Sequence, residues 1–321
     1  MIHKTREPGY VSSSDLVPLY LKENVKTAQF CANTVGRDFV VGDIHGCIEL
    51  FYAALTAIEF DTTKDRMFSV GDLGDRGPDS PACMELMYKP WFHAVRSNHG
   101  DLMSAWVEGD PIGVYNWMPN GGQWAMGIDE DTLSGYAHMD KQLPYVITVD
   151  MNDGRKFHVI HAEFGTREPL TDEMLATKDV DFIRKVDKAG FENTGDGPLI
   201  TWGRIIYRQF FNRLITDESE RFFFFPDQHL KFFNDKLSHI YSGHTVMKLP
   251  TRYLGQTNLD TGAVFSDNEP NLGLTITEPL TDRFWKTNKL GTFEVKPVTI
   301  GVSQENHEST QKTPRDFNDS F

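Results

Sequence analysis

Three cysteines in 321 residues, Cys31, Cys47 and Cys83, are too few and too irregularly placed for a disulfide framework or a thiolate metal site. Positive charge is also scarce. Against 46 Asp and Glu stand 32 Lys and Arg, a formal net charge of −14. Proteins that follow a nucleic-acid backbone gain affinity by releasing counterions to Lys and Arg, so this balance argues against that class. It leaves room for a small phosphorylated substrate held by local arginines. No apolar run approaches the roughly 20 residues that cross a bilayer. Met1-Ile2-His3-Lys4-Thr5-Arg6 is followed by no hydrophobic signal core. The expectation is a cytoplasmic protein without a membrane partner. The length allows one large buried core with additions, and no internal repeat is present.

What the chain does contain is a set of metal-binding residue types at the ends of four short stretches. These are Gly42-Asp43-Ile44-His45-Gly46, Gly71-Asp72-Leu73-Gly74-Asp75-Arg76-Gly77, Ser97-Asn98-His99-Gly100 and Gly243-His244-Thr245. Each follows a short run of strand formers: Asp38-Phe39-Val40-Val41, Arg66-Met67-Phe68-Ser69-Val70, Ala94-Val95-Arg96 and His239-Ile240-Tyr241. Ligands of an α/β sheet gather beyond the carboxyl ends of its strands, so four such loops can converge at one rim. Tyr145–Val149 and Phe157–Ile160 predict a hairpin across Asp153-Gly154 that delivers His161.

The donors are oxygen and nitrogen only, a set that suits manganese, iron or zinc. One carboxylate can bridge two ions roughly 3.5–4 Å apart, and water between them then ionises near neutral pH. A lone Asp-x-His is ordinary surface chemistry. The inference rests on all the stretches together, in this order.

With those residues in view, the chain resembles the phosphoprotein phosphatase family of calcineurin-like metallophosphatases, and most of all its compact bacteriophage lambda type. The likeness runs from about Asp38 to Thr275. It includes Phe92-His93-Ala94-Val95-Arg96-Ser97-Asn98-His99, His161-Ala162-Glu163 and Asp260-Thr261-Gly262-Ala263-Val264-Phe265. The resemblance implies an α/β (α+β) sandwich of two mixed sheets flanked by helices, with two divalent ions at the rim: Mn2+ first, with Fe, Zn or Ni as alternatives. It implies that Asp43 and His45 hold one ion, that Asp72 bridges, and that Asn98, His161 and His244 complete the second. His99 and Asp75 match the family's acid pair, and Arg76 and Arg204 its phosphate-binding arginines. Arg204 rests on the short Thr201-Trp202-Gly203-Arg204 likeness, and Arg96 is a candidate support for the metal loop. The implied reaction is hydrolysis of phosphoserine or phosphothreonine, with phosphotyrosine as an extension, by in-line attack of a hydroxide between the metals. The substrate and partner is then a phosphorylated protein or peptide, in the host cytoplasm if the chain is virus-encoded. Nothing indicates an oligomeric state.

Two positions depart from the family pattern. Gly74 stands where a valine is usual. Gly100 stands where a glutamate usually follows Asn-His, and the neighbouring Asp101 is a candidate replacement. Two other readings follow: a hydrolase of dinucleoside tetraphosphates or other nucleotides, which shares the Asp-x-His and Asn-His loops, and a catalytically impaired phosphate-binding or interaction module.

The domain plan is an N-terminal extension over 1–36, a metallophosphatase domain over 37–296 with inserts around 164–200 and 208–236, and a flexible tail over 297–321. Ser14 or Asp15 is expected to cap a helix running to Lys26. Cys47–Phe60 predicts a helix with Leu50, Phe51, Ala54, Leu55 and Ile58 on one face, and Asp101–Met126 a helical stretch broken near Pro119-Asn120-Gly121-Gly122. Phe222–Phe225 reads as packing for an insert, His93 and His158 as structural groups, and Trp202 as a packing anchor. His3, His138, His229, His239 and His307 match no metal spacing. Ser303–Phe321 is polar enough to remain solvated.

Overall fold

The computed structural model describes residues 27–163, 170–176, 199–204, 236–253 and 255–299. The helix expected to end at Lys26, most of both inserts, the Phe222–Phe225 run and Ser303–Phe321 lie outside the described residues.

Two mixed sheets form a sandwich, as the resemblance implied. The first contains β2 (Asp38–Val41), β3 (Arg66–Ser69), β4 (Phe92–Ala94), β10 (Leu274–Glu278), β11 (Arg283–Asn288) and β12 (Gly291–Val295), in the order β12-β11-β10-β2-β3-β4. The second contains β1 (Thr27–Phe30), β5 (Val146–Asp150), β6 (Lys156–Val159), β7 (His239–Ser242), β8 (Thr251–Tyr253), β9 (Gln256–Asn258) and β13 (Val298–Thr299), in the order β1-β5-β6-β7-β9-β8-β13.

Strand alternation sorts the core. Phe39 and Val41 of β2 face the helices, whereas Val40 between them faces the other sheet. Between the sheets, Val40, Phe68, Val70 and Val95 meet Ile147, Val149, Phe157, Val159 and Tyr241. Each fully buried side chain of this kind contributes about 1.5–3 kcal/mol. Helix α1 (Ile48–Ala57) covers the first sheet with Ile48, Phe51, Ala54 and Leu55, the spacing of a single helical face, and two shorter helices, α2 (Ser80–Met84) and α4 (Pro111–Asn116), follow later in the chain. A further apolar layer, including Ile160, Leu170, Leu175 and Ile200, covers the outside of the second sheet.

The parallel pairings decide where the chemistry collects. β2, β3 and β4 run parallel in adjacent positions, so the chain leaves all three at the same rim. β6, β7 and β9 are likewise parallel neighbours in the second sheet. The hairpin between β5 and β6 forms as expected.

Two strands lie outside the span expected for the domain. β1 falls inside the 1–36 extension and pairs in parallel with β5, burying Ala28. β13 falls inside the expected tail and pairs with β8. Both are short, and an edge strand takes its conformation from the ladder it joins, which no local pattern announces. Among the described residues no helix is long and apolar enough to cross a membrane.

Candidate metal centre

Each expected ligand sits on a turn just past a strand. Asp43 and His45 follow β2, Asp72 and Asp75 follow β3, and Asn98 and His99 open helix α3 (Asn98–Val107) after β4. His161 and His244 follow β6 and β7. The turns are tight enough to force unusual backbone. Of seven described non-glycine residues with positive φ, five are His45, Asp72, Asp75, Arg76 and His244. Such conformations cost of order 1–3 kcal/mol each and persist where the surrounding structure enforces them. At Gly243 a Cβ would lie 1.8 Å from Asp43 Oδ1, so only glycine lets the two loops meet.

Asp72 lies at the centre. Its Oδ2 is 3.4 Å from His45 Nε2 and 3.9 Å from His99 Nε2, while Oδ1 is 3.6 Å from His161 Nε2. Two clusters share this carboxylate and are spaced to hold a cation: His45, Asp72 and His99, and Asp72, His161 and His244. Asp43 belongs to neither. Its Oδ2 accepts the His244 backbone N–H at 2.9 Å. Asn98 places Oδ1 2.7 Å from His161 Nε2 and 3.2 Å from His244 Nδ1.

The donor set fits divalent cations on three grounds. His45 Nδ1–H donates to Gly74 O at 2.9 Å and His161 Nδ1–H to Val70 O at 2.7 Å, which fixes lone pairs on both Nε2 atoms. The His161 lone pair then faces Asn98 Oδ1, another acceptor, a contact that a shared cation satisfies. Asp43 Oδ1 and His244 Nε2 are buried without hydrogen-bond partners, an arrangement costly for polar atoms unless a ligand meets them.

The electrostatics agree. Burial lowers His45 to about 3 and holds His161 and His244 below the ordinary imidazole value, which favours the neutral rings that ligate metals. Burial, Asp260 and Asp72 push the Asp43 carboxyl well up. Asp260, after β9, is pushed up to about 6 by burial and by Asp72. A cation relieves this crowding of carboxyl groups.

The expected acid pair is assembled as well. His99 Nδ1–H donates to Asp75 Oδ2 at 2.6 Å. Asp75 also accepts two indole N–H groups that the sequence had not marked. Trp117 Nε1 lies 2.9 Å from Oδ2, and Trp124 Nε1 lies 2.6 Å from Oδ1. Two tryptophans flanking Gly121-Gly122 were the only available signal. Arg76 is exposed and brings a guanidinium nitrogen 2.9 Å from His45 Nε2. Arg204 donates to His244 O at 3.3 Å, which places it on the opposite flank. Arg96 pairs with Asp101 in the first turn of α3 at 2.5 Å and lies over the Tyr145 ring. At Gly74 a side chain would find ordinary contacts with Met84 and Ser80, and the bond to His45 uses its carbonyl. That departure therefore leaves the ligand geometry intact. His158 bonds Thr148 and Asp172, the structural role expected of it.

Comparison with known proteins gives the same picture. The Calcineurin-like phosphoesterase family matches residues 39–248. Serine/threonine-protein phosphatase 2 of Escherichia coli is 28% identical over 194 residues, covering 56% of this chain and 85% of that protein. Serine/threonine-protein phosphatase 1 of Salmonella typhimurium is 43% identical over 130 residues, covering 39% of this chain and 58% of that protein. A symmetrical bis(5'-nucleosyl)-tetraphosphatase of Cellvibrio japonicus is 43% identical over a shorter stretch of 63 residues, covering 19% of this chain and 23% of that protein. The crystal structure of a cold-active protein-tyrosine phosphatase from a psychrophilic Shewanella shares the fold at a TM-score of 0.51 and 17% identity, covering 91% of this chain and 89% of that one. With the family match spanning residues 39–248, well over half of its length, the chain belongs to the calcineurin-like phosphoesterases.

Proposed function

We propose that this protein is a metal-dependent phosphomonoester hydrolase acting on phosphoserine and phosphothreonine in proteins, with phosphotyrosine as a secondary substrate. The observation that carries the reading is the His99–Asp75 pair, set 3.9 Å from the shared carboxylate of Asp72. An alkoxide leaves poorly, so a proton donor at that place matters most for an alkyl ester.

Asp43, His45, Asp72, Asn98, His161 and His244 would hold two divalent ions, with manganese as the first choice. When bound, such ions would supply Lewis acidity and lower the pKa of water. Arg76 and Arg204 approach from opposite flanks and bind the phosphoryl oxygens, for which a planar guanidinium is suited. As a water oxygen bonds to phosphorus and the ester phosphorus–oxygen bond breaks, His99 gives its Nε2 proton to the leaving serine oxygen, releasing inorganic phosphate and the free hydroxyl. Asp75, fixed by two indoles, keeps the ring oriented and stabilises its charged form. Trp202 stays a packing group, and its ring lies 6.4 Å from that of His244.

Action on a dinucleoside tetraphosphate is the second reading, supported by the likeness to the Cellvibrio japonicus protein. Turnover of a phosphoserine peptide, p-nitrophenyl phosphate and diadenosine tetraphosphate by chelator-stripped protein, with and without manganese, separates the readings. Manganese-dependent release of phosphate from the peptide is expected. Preference for the dinucleotide would replace the first reading with the second, and bound peptide without turnover would indicate a binding module.

A further inference from the structure

Gly100 lies in the first turn of α3, directly after the proposed acid His99, and carries no side chain into a buried space. Another helix fills that space. A Cβ at Gly100 would lie 2.0 Å from Oδ1 of Asp140, on the last turn of α5 (Glu130–Gln142). The Asp140 side chain is buried, and its Oδ2 has no hydrogen-bond partner. Asp101, the neighbour suggested by sequence, is engaged elsewhere: its Oδ1 accepts Arg96 Nε and its Oδ2 accepts the Thr201 hydroxyl.

Asp140 also borders a cavity of about 20 Å3 whose other walls include Asp75, Ser97, His99, Gly100 and Trp124. This is room for about one water molecule, with polar partners in Asp75, Ser97, His99 and Asp140 and an otherwise largely apolar wall that includes Leu73, Met84, Val95, Met103 and Leu143. The carboxylate thus borders the same cavity as both members of the acid pair and is itself buried. Burial, with Asp101, Asp72 and Asp75, pushes the Asp140 carboxyl up to about 7, against the opposing pull of Arg96. A buried carboxylate with one oxygen unpartnered is costly, so a core helix has little reason to carry one for packing alone.

We propose that Asp140 is a positioning residue for the His99–Asp75 pair: its carboxylate, delivered from α5, occupies the space that Gly100 leaves open and braces the Asn98–His99 turn. The inference rests on the phosphatase reading of the same site. It makes Gly100 and Asp140 a matched pair. A side chain on α3 and a carboxylate on α5 compete for one volume, so the supporting group can come from either helix but not from both.

The test is a double-mutant cycle of Asp140→Ala, Gly100→Glu and the combined variant, measured with manganese on a phosphoserine peptide and on p-nitrophenyl phosphate. Asp140→Ala is expected to lower kcat on the peptide by about 10–100-fold, the range for loss of a group that orients a metal-site residue. KM should stay within about twofold, and the aryl ester should lose less, because its leaving group needs less protonation. Gly100→Glu alone forces two carboxylates together and should lose activity and melting temperature. The combined variant returns a carboxylate to the same place from α3 and should recover kcat to within about threefold of the wild type, a large departure from additivity.

Wild-type kcat in Asp140→Ala would overturn the positioning role alone, as would equal losses on both substrates. A combined variant no better than the product of the single changes would do the same. Should Asp140→Ala fail to fold, the combined variant still decides, since restored folding and turnover support the pairing and failure of both removes it. No turnover by the wild type itself would remove the phosphatase reading and this proposal with it.

Discussion

The two ends of the sandwich invite comparison because each gathers charged residues and only one is built for chemistry. At the end away from the metal centre, a cavity of about 450 Å3 opens beside the first residues of β6 and β7, lined in part by Arg155, Lys156, His239 and Arg252. It is far larger than the 20 Å3 void beside His99. Yet its cations have ordinary partners: Arg252 bonds Asp282, Arg155 bonds Asp153 and Lys156 bonds Asp150. None of these residues has positive φ except Asp282. At the metal end, carboxylates and imidazoles are buried together, two ligand atoms have no partner, and five residues hold strained backbone. Paired surface charges are near their lowest energy already, and such pairs contribute about 0–1 kcal/mol. Buried polar atoms left without partners are the mark of a site that expects a ligand. Size of hollow and capacity for chemistry are separate properties here.

The largest effect should come from Asp72→Asn. It removes the carboxylate shared by both cation clusters, so manganese-dependent turnover should fall to the level of chelated protein, with less metal bound on elemental analysis. Unchanged metal content and rate would erase the contrast between the two ends. Next is His99→Asn, expected to retain metal while slowing an alkyl phosphate by about 10²–10⁴-fold and an aryl phosphate less. Equal slowing of both substrates would count against His99 as the acid.

Trp117→Phe deletes one of the two indole donors to Asp75 and keeps most of the packing. A hydrogen bond to a charged group contributes roughly 1.5–3 kcal/mol, so kcat should drop about 10–100-fold with KM little changed. At the other end, the prediction concerns pH and stability. Burial, with Arg252 nearby, lowers His239 to about 4 from its ordinary 6.5. Between those values the unfolded chain binds the proton and the folded one does not, so stability is full above pH 6.5 and declines as pH falls toward 4. His239→Asn should make that decline shallower in a series of thermal melts without altering turnover. Arg252→Ala should be the mildest, shifting stability by no more than about 1 kcal/mol and leaving kcat unchanged. Loss of turnover from either change would show that the opposite end takes part in function.

The residues that converge at the candidate metal centre, and the short strands that precede most of them, were legible in the sequence. Asp43, Asp72, Asn98 and His244 each end a short apolar run, and strand termini with their loops are local events that a local pattern can encode. Helix α1 and the β5–β6 hairpin were legible for the same reason. Which groups support those residues depends on packing between distant parts of the chain. Trp117 and Trp124 reach Asp75 from 42 and 49 residues away, and no spacing rule connects an indole to a carboxylate at that range. Asp101 was the nearer candidate in the chain to stand in for the glutamate usual after Asn-His, but Asp140 fills the space at Gly100, because adjacency in a folded core is set by how helices pack. The edge strands β1 and β13 likewise exist through the ladders they complete. Local chemistry places the reactive groups, and long-range packing holds them in position.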